Sequence, residues 1–208
     1  MDRGLKSQFT ATEWNLFRSL KSPALIQNYL NALPFNFEKS GETNYSPRRV
    51  ISEGRAHCLE GAMLATMVLR AHGDRPLILD LEASGEDQDH VVALFKRHGC
   101  WGAISKTNHA VLRYREPVYR TIRELVMSYF HEYFLQSDGR KTLRGYAVVD
   151  LSRFDKKFWM TAEENLDYVV EHLWAVKHQP ILTLQQIKLL RSADQVEIQA
   201  GAIQEYLP

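Results

Sequence analysis

The sequence predicts an α+β fold: a buried, cysteine-bearing helix packed on an antiparallel sheet, with flanking N- and C-terminal helices. Three observations carry this. Residues 62–69 are almost wholly apolar, and a helix apolar on nearly every side is a buried one. Short apolar runs at 77–81, 90–95 and 100–104 are separated by polar or Gly-containing turns and read as strands. Apolar residues recur at helical spacing on either side of that block, over 14–33 and 166–190.

Composition bounds the answer before any motif is considered. The chain has 208 residues, 45% of them hydrophobic, which suits one domain with a substantial core and excludes general disorder. We expect a single domain over 1–208, its core at about 46–150 and a helical tail at about 151–208. A formal net charge of +1 gives no global field for nucleic acid or an anionic membrane. The absence of a long apolar span and of an export-signal pattern leads us to expect a cytoplasmic protein. Cys58 and Cys100 are then expected to be reduced.

In order, residues 1–9 read as a loose start, and Thr12 can cap a helix through Trp14, Leu16, Phe17 and Leu20. Ser22-Pro23 opens a second helix, with Ser at the cap and Pro at the first helical position; Pro34 ends it. Ser46-Pro47 starts a short helical turn through Ile51. Polar residues 52–55 then precede Cys58, which opens the apolar helix that Gly73 closes. The strands at 77–81 and 90–95 follow, and Arg97-His98-Gly99 makes a hairpin to the strand at 100–104. From Glu116-Pro117 the apolar spacing of Val118, Ile122, Leu125, Val126, Tyr129, Phe130 and Phe134 predicts one long amphipathic helix. Residues 146–150 read as a further strand, and 154–159 as an aromatic loop. Thr161, with Glu164 three residues on, is expected to cap a helix through Leu173, and residues 183–190 form another. The last dozen residues carry no readable pattern.

The chemistry gathers at Cys58. The first N–H groups of a helix are unpaired and partly positive, so a thiolate there is stabilised and an oxyanion can be received. An inert, packed cysteine is the plainer alternative. His90, at the start of a strand following the helix, supplies an imidazole; cysteine catalysis needs such a base within reach of the sulfur and a third group to fix it.

Cys58, the passage Leu69-Arg70-Ala71-His72-Gly73-Asp74-Arg75-Pro76, the run Asp89-His90-Val91-Val92-Ala93-Leu94-Phe95 and Gly99-Cys100-Trp101 together resemble the transglutaminase-like superfamily, over residues 50–108. The resemblance implies a papain-related fold and a Cys–His–Asp triad. Cys58 would be the nucleophile, His90 the base, and the substrate a peptide, protein or small amide, attacked with no cofactor. Hydrolysis and transamidation both remain open. Where the family carries its Asp, counting from Trp101, this chain has Ser105. Ser105 can hold the imidazole by its hydroxyl, and Asn108 can substitute, as Asn does in papain-like enzymes. Asp89 should point to the opposite face from His90, and Asp80 on the neighbouring strand is another carboxylate. The missing Asp keeps a second class open: a binding or scaffolding protein that retains the cleft and has lost the chemistry.

His57 is expected to point away from the sulfur, and Glu60 to suit the helix dipole. His109 and Trp101 are candidates to line the cleft, with core packing as the alternative for each. Arg113, Arg115, Arg120 and Arg123 are expected to pair with neighbours such as Glu116 and Glu124 rather than form an anion site. His57, Cys58, His90, Cys100 and His109 raise zinc, yet no CxxC pair or HExxH helix is present; nor is there a phosphate loop or dinucleotide fingerprint.

Overall fold

A computed structural model describes residues 3–207. The expectation of a loose start applies partly to residues 1 and 2, which lie outside the described residues. A short helix α1 (Arg3–Lys6) begins the described chain and leads to α2 (Ala11–Ser19). The cap of α2 is Thr10 rather than Thr12: its hydroxyl accepts from Glu13 N at 3.2 Å, and Glu13 returns a carboxylate to Thr10 N at 2.7 Å. Helix α3 (Pro23–Ala32) starts as expected, with Ser22 at the cap and Pro23 just inside. The same device, Ser46 then Pro47, opens α4 (Pro47–Glu53), and Gly54 at φ 66° turns the chain out of it.

That turn sets up the central helix. Ala56 bridges to Phe35, with Asn36 N donating to Ala56 O at 3.1 Å and Ala56 N to Pro34 O at 3.2 Å. Two residues later α5 (Cys58–Ala71) begins. Every residue from Leu59 to Leu69 is buried, as the all-round apolar pattern requires.

The strands follow as β1 (Leu77–Ala83), β2 (His90–Arg97), β3 (Cys100–Ile104) and β4 (Arg115–Tyr119), with β5 (Leu143–Asp150) and β6 (Gln179–Pro180) later in the chain. Among the described residues they form one antiparallel sheet in the order β4-β3-β2-β1-β5-β6. Alternation along the strands sorts the core into two layers. Ile78, Val91, Ala93, Phe95, Ile104 and Val149 face α5, while Leu79, Leu81, Val92 and Leu94 face the opposite side. The second face is covered by α6 (Ile122–Met127) and the 3-10 turn at Phe130–Glu132, through Leu125, Val126, Tyr129 and Phe130.

Two helical expectations fail for local reasons. The stretch from Glu116 to Phe134 is not one helix. Residues 115–119 pair with β3 as an edge strand, where Pro117 is tolerated, and Val118 is 65% exposed. The helix starts only at Thr121, whose capping box with Glu124 is complete, and it gives way to the 3-10 turn after Ser128. The expected cap at Thr161 is likewise displaced. Residues 158–162 turn back on Phe158, Leu166 N donates to Asn44 O at 2.8 Å, and α7 (Asp167–Ala175) begins there. The aromatic segment before it is a 3-10 helix, Leu151–Lys157, held by a bidentate Arg70–Asp155 pair at 2.6 and 2.7 Å. Helix α8 (Leu184–Lys188) follows under a Thr183 cap, and α9 (Gln195–Gly201) runs into the residues without a readable pattern.

Candidate active site

Cys58 is the first residue of α5, so its backbone N–H is one of the helix's unpaired donors. Its side chain is half-buried and lines a cavity of about 380 Å³. Phe35, Phe37, Tyr133 and Phe134 give that cavity apolar walls; His90 and the 106–109 loop give it polar ones. His90 reaches the sulfur from the sheet. It opens β2 beside the end of β1, with Leu81 opposite it, and shares the cavity wall with Cys58, close enough to act on its thiol.

Ser105 is the first residue past β3, and the Ala93↔Ile104 register brings it beside the start of β2. His90 Nε2 lies 2.8 Å from Ser105 Oγ. Ser105 Oγ in turn donates its single proton to Leu112 O at 2.6 Å. The hydroxyl therefore accepts from His90, Nε2 carries the ring proton, and Nδ1 is left for the sulfur. Gln27 of α3 fixes Ser105 from behind: Gln27 Oε1 accepts Ser105 N at 2.9 Å, and Gln27 Nε2 donates to Ser105 O at 2.7 Å. Gly61 lets this loop come close to the helix head. A Cβ on Gly61 would stand 2.5 Å from Lys106 Cβ, so any side chain there would push the Ser105 segment outward.

The other sequence-derived residues go elsewhere. Asn108 exchanges two hydrogen bonds with the Tyr206 backbone, at 2.9 and 2.8 Å, and so anchors the C-terminal tail instead of the imidazole. His109 lines the cavity, with Nδ1 at 3.1 Å from Gly201 O. Trp101 does not line it among the described residues. It sits four residues before Ser105, roughly 13 Å along an extended strand, with Lys96 Nζ 5.0 Å from its ring centre. Asp89 accepts from Ala83 N at 2.7 Å. Arg113 pairs with Glu205 and Arg115 with Glu132, at 3.1 and 2.7 Å, rather than with Glu116 or Glu124. Among the described residues no group of three or more His, Cys, Asp or Glu could hold a metal ion, and no helix is long and apolar enough to cross a membrane. Cys58 and Cys100 are both free.

Two features of the site run against the sequence reading or lie outside it. His57 does not point away. It stands at the cap of α5, close enough to Cys58 for the two side chains to shift each other's charge, while its Nε2 lies 2.8 Å from Thr43 O. Glu60, fully buried, lies beneath it. Its carboxylate accepts from His57 N at 3.0 Å, Tyr45 N at 3.0 Å, Thr43 Oγ1 at 2.8 Å and Asn36 Nδ2 at 3.0 Å, and stands 3.4 Å from His57 Nε2. The Glu three residues after the cap was the available signal, since it marks a capping box. Its convergence with the 36–45 loop was not readable.

These contacts set the charges. Burial opposes the Cys58 thiolate, but the neighbouring imidazoles of His57 and His90 outweigh it and hold the thiol well below its ordinary range. Burial also opposes a charged His57, yet the neighbouring Cys58 thiolate and the Glu60 carboxylate push it up to about 9.

Asp80, on the α5 face of β1, is pushed up to about 6 by burial, against the hydrogen bond from His178 at 3.0 Å. Its Oδ1 has no hydrogen-bond partner among the described residues. A carboxyl raised in the folded state favours folding while protonated. Its contribution is present below the unfolded value near 4 and lost as pH climbs through 6, by up to about 3 kcal/mol. In urea titrations between pH 4 and 7, the wild type should therefore lose stability relative to Asp80→Asn as pH rises; parallel curves would count against the buried carboxyl.

No family profile matches the chain, and no curated protein matches it. Solved structures of LapG from Legionella pneumophila are similar to it. One is 21% identical with a TM-score of 0.36, over 51% of this chain and 66% of that one. The EGTA-treated form is 20% identical with a TM-score of 0.37, over 51% and 64%. The calcium-bound form is 20% identical with a TM-score of 0.38, over 51% and 66%. The chain thus spans slightly less than two thirds of the length of the LapG chains it matches.

Proposed function

We propose that the protein is a cysteine-dependent acyl-transfer enzyme or amide hydrolase acting on a peptide, protein or small amide. The observation that carries this reading is Cys58 at the head of α5 sharing its cavity with His90, whose ring is held by the hydrogen-bonded chain His90–Ser105–Leu112. The Cys58 thiolate attacks the carbonyl carbon, and the carbonyl's electron pair moves to oxygen, facing the unpaired N–H groups at the helix start. The tetrahedral adduct collapses as an imidazolium beside the sulfur gives its proton to the leaving nitrogen; the C–N bond breaks, the amine departs and a thioester remains. His90 Nδ1 takes the proton from the water or amine that resolves it, and the C–S bond breaks to restore thiolate. The apolar walls favour an acyl group with hydrophobic neighbours.

The reading is tested with p-nitrophenyl acetate, an acyl donor that makes no demand on substrate recognition. Intact-mass and peptide analysis should find one acetyl per chain, on Cys58, formed faster than on Cys100 and absent in Cys58→Ser. His90→Gln should let the acetyl-enzyme accumulate by slowing its hydrolysis. Equal labelling of the two cysteines would reject the enzyme. It would favour a binding protein that keeps the cleft, the alternative suggested by Ser105 standing where a carboxylate would support the imidazole.

A further inference from the structure

Cys58 lies between two imidazoles, and their surroundings differ. His90 rests on a neutral hydroxyl, and its ring proton is committed to Ser105. His57 rests on the buried Glu60 carboxylate and on Thr43 O. A carboxylate behind an imidazole stabilises its charged form; a hydroxyl does so far less. The negative charge missing behind His90 is thus present behind the other ring, on a residue adjacent to the nucleophile. Because His57 Nε2 is engaged with Thr43 O, Nδ1 is the nitrogen left to face the sulfur.

We infer that His57 is a second catalytic imidazole: with Glu60 it holds the proton given up by the Cys58 thiol and yields it to the leaving group, while His90 serves the incoming nucleophile. This rests on the reading of Cys58 as nucleophile. In the resting enzyme the S–H proton is on His57 Nδ1 and the sulfur is thiolate. Acylation removes the anion that stabilised the imidazolium, so its proton passes to the departing amine and His57 becomes neutral. Water then gives its OH to the acyl carbon and its proton to His90. Loss of the acid frees the thiolate, and the proton on His90 returns to His57. The other charged groups around His57 are Glu38, 3.9 Å from Nε2, and Arg55, which senses Glu60.

Cys58 alkylation by iodoacetamide, followed by mass spectrometry from pH 4 to 10, tests the assignment. His57→Gln should raise the pH midpoint toward that of a free thiol, lowering the alkylation rate at pH 6 at least tenfold. His90→Gln should raise it by less. A larger shift in His90→Gln than in His57→Gln, or none in His57→Gln, overturns the inference. Ring-proton NMR of folded wild type and Cys58→Ser covers the case in which His57→Gln does not fold. His57 should titrate well above pH 7.5 in wild type and lower in Cys58→Ser, where Glu60 alone supports its charge; the same midpoint in both overturns it. Acetylation of Cys58 by p-nitrophenyl acetate separates the two claims. If Cys58 is acetylated and the midpoint ignores His57, only the division of roles fails. If Cys58 is never acetylated, the enzyme reading fails with it.

Discussion

Glu60→Ala is expected to cost about 3–5 kcal/mol of stability, because it leaves a set of buried and half-buried donors without their common acceptor. The Glu60 carboxylate, itself fully buried, gathers the backbone N–H groups of His57 and Tyr45, the Thr43 hydroxyl and the Asn36 amide into one knot. Each donor left unpaired costs about 1–3 kcal/mol, and the total falls short of the sum because the 36–45 loop can move outward and recover water. That loop also carries Thr43 O, the acceptor that holds His57, so the same substitution should loosen the head of α5. Urea unfolding measures the effect, and amide hydrogen exchange at residues 43–60 locates it. A loss below about 1 kcal/mol, with protection retained, would show that the knot is dispensable.

Ser105 gives the second large effect, and it separates this site from one built on a carboxylate. The residue is 1% exposed, accepts from His90 and must donate to Leu112 O at 2.6 Å. An ionised Asp has no proton to donate. Ser105→Asp would face a carbonyl oxygen with a carboxylate and add volume to a closed space. It is expected to destabilise the fold by about 2–4 kcal/mol and to give slower, not faster, hydrolysis of acetyl-Cys58. Ser105→Ala keeps the packing and loses the bond to Nε2. Stability should fall by about 1 kcal/mol and acetyl-enzyme hydrolysis by roughly ten- to a hundredfold. An Asp variant that is both as stable as wild type and faster would show that the hydroxyl is no more than a decayed carboxylate.

The chain exposes parts of this design to sequence reading and conceals others, for reasons that differ by residue. Cys58 is legible because an all-apolar run must be buried and its first polar boundary marks the helix head. His90 is legible because a strand beginning with a polar residue stands at the rim of a sheet. Ser22-Pro23 and Ser46-Pro47 announce their helices because cap chemistry is local. The region from Glu116 to Phe134 misleads because its apolar spacing fits a helix, whereas pairing with β3 is a long-range choice. The role of Gln27 is invisible along the chain, since its two bonds to Ser105 span 78 residues.

By itself, then, the sequence determined the α+β class, the central helix with Cys58 at its head, the antiparallel order of its first strands and the short list from which an imidazole and its support must come. Each of these follows from periodicity or capping, which act within a few residues. Only the tertiary structure decided that Ser105 rather than Asn108 touches His90, that His57 turns toward the sulfur, and that Glu60 ties the 36–45 loop beneath it. Those contacts join segments distant along the chain, and the burial and charge they create exist only once the loops have closed.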